Sequence, residues 1–294
     1  MHRYLRAIGF SQITTKKQLR ELITYSIQRA TEKSYTSGTE DDSMFAEFSM
    51  ACGERIGITV RGEFDETNNF TYDYYFPYVR GEGVTTQEDV SVERHAAQES
   101  YAGVCDDMKV GVTLIFYMQN IVPYIRAKNL NLLPVRGTTL TLSALCISGT
   151  IMMPIVKSEK QKASVKKATA DRYSLLAAAR RGDEEAIESL TLEDMDTYTA
   201  ISRKIHTQDI YSLVDTYFMP YGVECDQYSL LGEIMECRTV TNVITSEQVY
   251  ILTVNCNELI FDVCINSIDL LGEPAVGRRF KGVLWLQGYL HFPN

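Results

Sequence analysis

The chain has 294 residues, 45% hydrophobic and 23% charged, long enough for two ordinary domains and apolar enough for a substantial core. Its net charge of −9 is spread: 15 Lys and Arg face 18 Asp and Glu over residues 1–150, and 14 face 20 over residues 151–294. Neither half carries the basic field that holds phosphates or anionic lipid, which counts against nucleic acid without excluding a local patch and sets membranes aside.

The seven cysteines (52, 105, 146, 225, 237, 256 and 264) are odd in number and form no Cys-x-x-Cys pair, the pattern of buried thiols in a reducing, cytoplasmic compartment. Arg3 and Arg6 interrupt the N-terminal segment, so it lacks the continuous apolar stretch of a secretory signal, and no run approaches membrane-spanning length. Asn69-Phe70-Thr71 matches a glycosylation triplet, which is discounted without an export signal.

In chain order, Thr15 and Gln18 form a capping-box pattern ahead of Leu19, Leu22, Ile23, Ile27 and Ala30 at helical spacing. Residues 34–43 read as a polar loop. From Arg55 to Arg61 the apolar residues alternate with small or charged ones, as in a half-buried strand, and similar strands are predicted at Tyr72–Tyr78, Val110–Met118 and Thr139–Met153. Five lysines between 157 and 167, with Glu159 the single acid among them, mark a junction and read as a solvated face. Three or four short helices are then expected over 163–219, with Gly182 as a left-handed cap, Asp183 opening the next helix and Thr207 opening the last. Ala177–Ile187 has the wording of an ankyrin repeat, but a single copy reads better as helix–turn–helix. Val249–Val254 and Leu259–Ile265 make a hairpin, with Leu259, Phe261, Val263 and Ile265 on one face, and Val283–Phe292 is the last strand.

An echo at a spacing of 139 residues aligns Ala144–Pro154 with Val283–Pro293 without gaps and places Gly149 on Gly288. The expected fold is therefore α+β: two tandem strand-rich units, each barrel-like or a curved antiparallel sheet with packed helices, and a candidate internal duplication. The units are residues 1–156 and 157–294, the second holding helices over 163–219 and a barrel-like sheet over 228–293. Burial alone can also make two strands look alike.

The most chemically suggestive stretch is Gly277–Gly282, where Arg278, Arg279 and Lys281 precede Trp285; cations beside an aromatic on a small barrel are one way to hold single-stranded nucleic acid. No phosphate-loop triplet accompanies it. Tyr72, Tyr74, Tyr75, Phe76 and Tyr78 form a strand aromatic on both sides, a candidate domain or subunit interface. The histidines (2, 95, 206 and 291) show no metal-ligand spacing, and no Gly-x-Ser-x-Gly elbow occurs; His291 reads as a surface or satisfied histidine, and Cys264 shares a strand face with Asp262 rather than with a base. Carboxylate pairs such as Glu233 with Glu236, or Asp262 with Glu273, would do acid–base work only if they converge.

Leu5–Phe10, Gly222–Tyr228, Phe261–Asn266, and Gly272-Glu-Pro with Gly277–Gly282 and Trp285–Gly288 together resemble an uncharacterised, domain-of-unknown-function family of anaerobic Gram-positive bacteria across essentially the whole chain. The resemblance implies a bacterial cytoplasmic origin and carries no activity, fold or site residue. The leading expectation is a non-enzymatic protein that binds another protein or its own copy, with no catalytic residue, metal or cofactor assigned. The alternatives are nucleic-acid or nucleotide binding through Arg278, Arg279, Lys281 and Trp285, and a hydrolase or transferase built from separated carboxylates.

Overall fold

The computed structural model describes residues 2–37, 44–87, 90–94, 101–107, 112–133, 137–155, 159–204, 210–223 and 225–293. The chain opens on a 3-10 turn, Arg3–Ile8, which Gly9 ends in the left-handed region (φ 89°), and continues into α1 (Lys16–Gln28). The capping box is present: the Gln18 N–H donates to Thr15 Oγ1 at 3.2 Å, and the Thr15 N–H donates to Gln18 Oε1 at 3.0 Å. An antiparallel meander follows, of β1 (Glu32–Ser37), β2 (Met44–Gly53), β3 (Ile56–Phe64) and β4 (Phe70–Val79). Residues 34–37, expected as loop, lie in β1; their side chains are polar because this is a mostly exposed edge strand, while the backbone pairs with β2, Tyr35 opposite Ala46.

Next come β5 (Val90–Arg94), β6 (Tyr101–Asp107), β7 (Val112–Met118), α2 (Ile121–Asn129) and β8 (Thr139–Met152). Two long helices, α3 (Glu159–Arg180) and α4 (Glu184–Lys204), and the short α5 (Ile210–Leu213) replace the three or four short helices expected. Gly182 turns the chain between α3 and α4 at φ 86°, and Asp183 Oδ1 accepts from the Ala186 N–H at 3.1 Å, so both predicted caps are present. Thr207 lies outside the described residues. Tyr217–Pro220, expected as helix, is strand β9, paired with β10 (Gln227–Thr241). The rest is β11 (Gln248–Cys256), β12 (Leu259–Asn266), the two-residue β13 (Leu270–Leu271) and β14 (Arg279–His291).

Five of these strands close on one another. β8 pairs in parallel with β12; β12, β11, β10 and β14 pair antiparallel in turn; and β14 returns to pair antiparallel with β8. Alternation then divides each strand between two environments. Leu142, Ala144 and Cys146 of β8, Leu252 and Val254 of β11, Phe261, Val263 and Ile265 of β12, and Phe280, Leu284 and Leu286 of β14 share one core. Leu145, Ile251, Cys264 and Trp285, the alternate residues, belong to a second core outside the barrel wall. A fan of β7, β6 and β5 extends from β14, beginning at Gln287 and Gly288.

The ladder crosses the division expected at residue 157, since β8 comes from before it and β10, β11, β12 and β14 from after it. The echoing strands, β8 and β14, are neighbours in one barrel, with Gly282 opposite Gly149 and Gly288 opposite Leu142. Both echo glycines make room for a ring: a Cβ on Gly149 would lie 2.5 Å from Phe280, and one on Gly288 2.4 Å from Phe116.

The second core joins the barrel to the meander. Tyr4, Leu5, Ala7, Ile8 and Phe10 of the N-terminal turn fill it with Ile56, Ile58 and Val60 of β3 and Leu22 and Ile23 of α1. The turn is pinned to the barrel by polar side chains: Asn266 Nδ2 donates to Arg6 O at 3.1 Å, Asn242 Nδ2 to Ile8 O at 2.8 Å, and Thr245 Oγ1 to Gly9 O at 2.6 Å. At the other end Asn120 acts as a strand partner for Leu290, donating to its carbonyl at 2.7 Å and accepting from its N–H at 2.9 Å. Among the described residues, no helix is long and apolar enough to cross a membrane.

Candidate functional site

The predicted cationic site separates into parts. Arg279 is buried, and its guanidinium is spent on backbone carbonyls: Nε donates to Met153 O at 3.0 Å, Nη1 to Val214 O at 2.9 Å and Nη2 to Tyr211 O at 2.9 Å. It ties the start of β14 to the end of β8 and to the C-terminal carbonyls of α5, where a cation is favoured. Lys281 bonds the Tyr211 hydroxyl and lies 4.2 Å from that ring's centroid. Arg278 is turned to the loop before β14, donating to Glu273 O at 2.6 Å. Trp285 is 4% exposed, in the core between barrel and meander.

What the structure does bring together is Trp285 and the aromatic strand. Trp285 stacks on Tyr4 (ring centroids 5.3 Å apart, interplanar angle 22°) and touches His2 at 4.6 Å and Tyr117 at 5.1 Å. Tyr117 meets Phe76 at 4.7 Å and Tyr74 at 5.9 Å, and the Tyr75 hydroxyl accepts from the His2 N–H at 2.8 Å. Trp285 Nε1 donates to Asp226 Oδ2 at 2.7 Å. On β4, Phe76 and Tyr78 are buried, Tyr74 and Tyr75 half-buried, and Tyr72 exposed. Tyr74, Phe76 and Tyr78 share one face of this strand, and Tyr75 lies on the other, against His2. Tyr78 carries the Arg80 guanidinium 4.6 Å from its centroid, and Tyr289 holds the same cation at 4.6 Å. Sequence alone makes Tyr117 a strand residue and His2 one of four scattered histidines, and it gives Tyr4 and Asp226 no periodic pattern.

Burial pulls the His2 imidazole down from 6.5 to about 4, the nearby Arg3 charge adding to the effect, and its Nδ1 has no hydrogen-bond partner. A group whose folded value is depressed contributes stability above the unfolded value and loses it as pH falls. Folding stability is therefore expected to decline between pH 6.5 and 4 by about 3 kcal/mol on account of His2. Urea unfolding at a series of pH values checks this; in His2→Phe that part of the decline should vanish, and an unchanged slope would show that His2 does not cause it.

A different surface stands out on the helical hairpin. α3 and α4 pack side by side, joined by Arg172, whose Nη2 lies 2.9 Å from Asp194 Oδ1 and Nη1 3.6 Å from Glu193 Oε2. Ala186 is buried and Ser189 and Leu190 half-buried, so they mark the inward side of α4. At 3.6 residues per turn, Ile187, Thr191 and Met195 stack on the opposite side with Leu192 beside them. Ile187, Leu192 and Met195 are 48%, 56% and 62% exposed. Every charged residue from Asp183 to Asp196 is acidic, and Glu184, Glu185, Glu188 and Asp196 are exposed and have no ion-pair partner among the described residues. The hairpin reaches the barrel through the Tyr173 hydroxyl, which donates to Asn257 O at 3.1 Å in the turn between β11 and β12.

Residues 5–288 match the model of the family described as "Domain of unknown function, E. rectale Gene description (DUF3881)". The chain belongs to that family. The match spans the N-terminal turn, the barrel and the hairpin alike, so all three lie within the DUF3881 region. No curated protein matches the chain, and no solved structure does.

In this DUF3881 chain the carboxylate pairs named from sequence have separate surroundings. Asp262 is buried, bonded to Arg55, to Thr253 Oγ1 at 2.6 Å and to the Glu82 N–H at 3.0 Å, whereas Glu273 is exposed beside Arg278. Glu236 pairs with Arg238 at 3.4 Å, and Glu233 is exposed. Five of the seven cysteines are buried, all seven are unpaired, and burial pushes the thiols of Cys52, Cys146 and Cys256 up to about 12, which leaves them protonated and inert. Among the described residues no three His, Cys, Asp or Glu side chains gather as metal ligands; His95 and His206 lie outside them. His291 contacts Thr141 Oγ1 at 2.8 Å.

Proposed function

We propose that the protein is a non-enzymatic interaction module in which the barrel and meander support the hairpin, and α4 docks another polypeptide. The observation that carries this reading is the exposure of Ile187, Leu192 and Met195 on the half of α4 turned away from α3, with Glu184 and Glu188 among them. Single scattered surface leucines need no explanation, but three large apolar side chains exposed on one half of a helix can anchor it in a groove. The other groups with chemical potential are engaged internally, as Arg279, Trp285 and Asp262 illustrate.

A photo-crosslinking residue at Leu192, in the full chain and in cells that make it, tests the reading against the same residue at exposed Glu66. A discrete product is expected from position 192 only, and it should be lost in Ile187→Asp/Met195→Asp. Equal patterns from both positions, or a product indifferent to the aspartates, would overturn the reading.

A further inference from the structure

The charge pattern around the α4 stripe has a counterpart on the same chain. α1 buries Leu22, Ile23 and Ser26 and turns Lys16, Lys17, Arg20, Thr24 and Tyr25 outward. Among the described residues Lys16 and Arg20 have no acidic partner, and Lys17 pairs with Glu21, 3.9 Å away on the same helix. On a protein of net charge −9, Lys16, Lys17 and Arg20 make a locally basic face, bordered by Glu21, with the half-exposed Tyr25 beyond Glu21 on the adjoining side. The outward face of α4 is its complement: Glu184, Glu185 and Glu188, without an ion-pair partner among the described residues, lie in its first turns beside exposed Ile187, with Leu192 and Met195 further along.

Resting on the reading of α4 as a docking helix, we infer that its occupant is α1 of a second copy of this chain. The contact then occurs twice in a closed, two-fold dimer, α4 of each copy on α1 of the other. Glu184, Glu185 and Glu188 meet Lys16, Lys17 and Arg20, and the exposed apolar side chains of α4 pack on the cation stems. Complementary charge of this kind sets the register and the encounter rate and penalises the wrong pairing through like-charge contact.

The geometry gives a charge-swap test by sedimentation velocity on the full chain. Wild type should sediment as a dimer at tens of micromolar, with dissociation promoted by salt. Glu184→Lys/Glu185→Lys/Glu188→Lys alone should dimerise at least about tenfold more weakly, because lysine then faces lysine in both contacts, and Lys16→Glu/Lys17→Glu/Arg20→Glu alone should weaken likewise. An equimolar mixture of the two variants should regain the dimer, since each of its two contacts again pairs opposite charges. All these residues are exposed, and circular dichroism of each variant checks that it is folded.

A wild type that stays monomeric over this range, single variants that dimerise as well as wild type, or a mixture that fails to recover would each overturn the inference. The mass of the Leu192 crosslink separates this outcome from failure of the docking reading. A product of twice the chain mass supports the second copy, whereas a stripe-dependent product of any other mass keeps α4 as a docking helix and rejects this occupant.

Discussion

Arg61→Ala is expected to remove about 3–5 kcal/mol of folding stability, the range for taking one partner from a buried ion pair. The Arg61 side chain is fully buried, with Nε donating to Glu47 Oε1 at 2.6 Å. Its Nη1 donates to the Tyr117 hydroxyl at 2.8 Å, and its Nη2 to Met118 O at 2.8 Å and Gln119 O at 3.1 Å. The guanidinium carbon also lies 4.6 Å from the Phe76 centroid. One side chain thus fastens β3 of the meander to the end of β7. Truncation would leave the Glu47 carboxylate, 7% exposed, with the Val122 N–H at 3.5 Å as its remaining hydrogen bond, and would release two carbonyls. Arg61→Met/Glu47→Leu should recover much of the loss, because an apolar pair of similar volume carries no desolvated charge. Urea unfolding followed by Trp285 fluorescence measures both variants; an Arg61→Ala loss below about 1 kcal/mol would mean that water reaches this site and the pair is not a buried one.

Arg61 also shows where sequence reasoning runs out. The Arg55–Arg61 run alternates, and alternation was read as one wet face and one dry face. In the structure β3 is covered on both sides: Ile56, Ile58 and Val60 enter the core beside the barrel wall, while Thr59 and Arg61 on the other face are also buried. A period of two separates the faces of a strand, yet it cannot say whether the polar face meets water or a matching carboxylate. Local signals fared better. The capping box at Thr15 and the turn at Gly182 need only adjacent residues, as does the β11–β12 hairpin, whose Asn257 and Glu258 take φ of 52° and 66°. Barrel closure depends on Ser143 meeting Asp262, and no local pattern encodes a parallel pair so distant in the chain.

The candidate residues were visible singly and misplaced collectively. Arg278, Arg279 and Lys281 stood out because three cations in four positions are conspicuous, but neighbours on a strand point to opposite faces, and α5 covers the face that takes Arg279 and Lys281. On the aromatic strand, Phe76 and Tyr78 meet Tyr117 and Arg80 on one face, and Tyr75 on the other face meets His2. The α4 stripe went unnoticed because Ile187, Leu192 and Met195 look like ordinary core positions until α3 is placed on the other side of the helix.

Trp285→Ala should cost a further large amount, about 3–5 kcal/mol, as expected for a buried aromatic cut to a methyl group. The ring is 4% exposed and contacts Tyr4, His2 and Tyr117, so the cavity would open where the N-terminal turn, β7 and β14 meet. These elements are held by long-range packing, which limits how far the site can collapse to fill the void. Trp285→Phe separates the contributions: it keeps most of the apolar contact and loses the Nε1 bond to Asp226, so its cost should be about 1.5–3 kcal/mol, the usual value of a hydrogen bond to a charged acceptor. Because Trp285 is the only tryptophan, both variants are followed by far-ultraviolet circular dichroism in urea. A cycle with Tyr4→Ala then measures the stacking directly. A coupling of about 0.5–3 kcal/mol is expected for rings in contact, and strict additivity would mean that the N-terminal turn does not rest on the barrel through this pair.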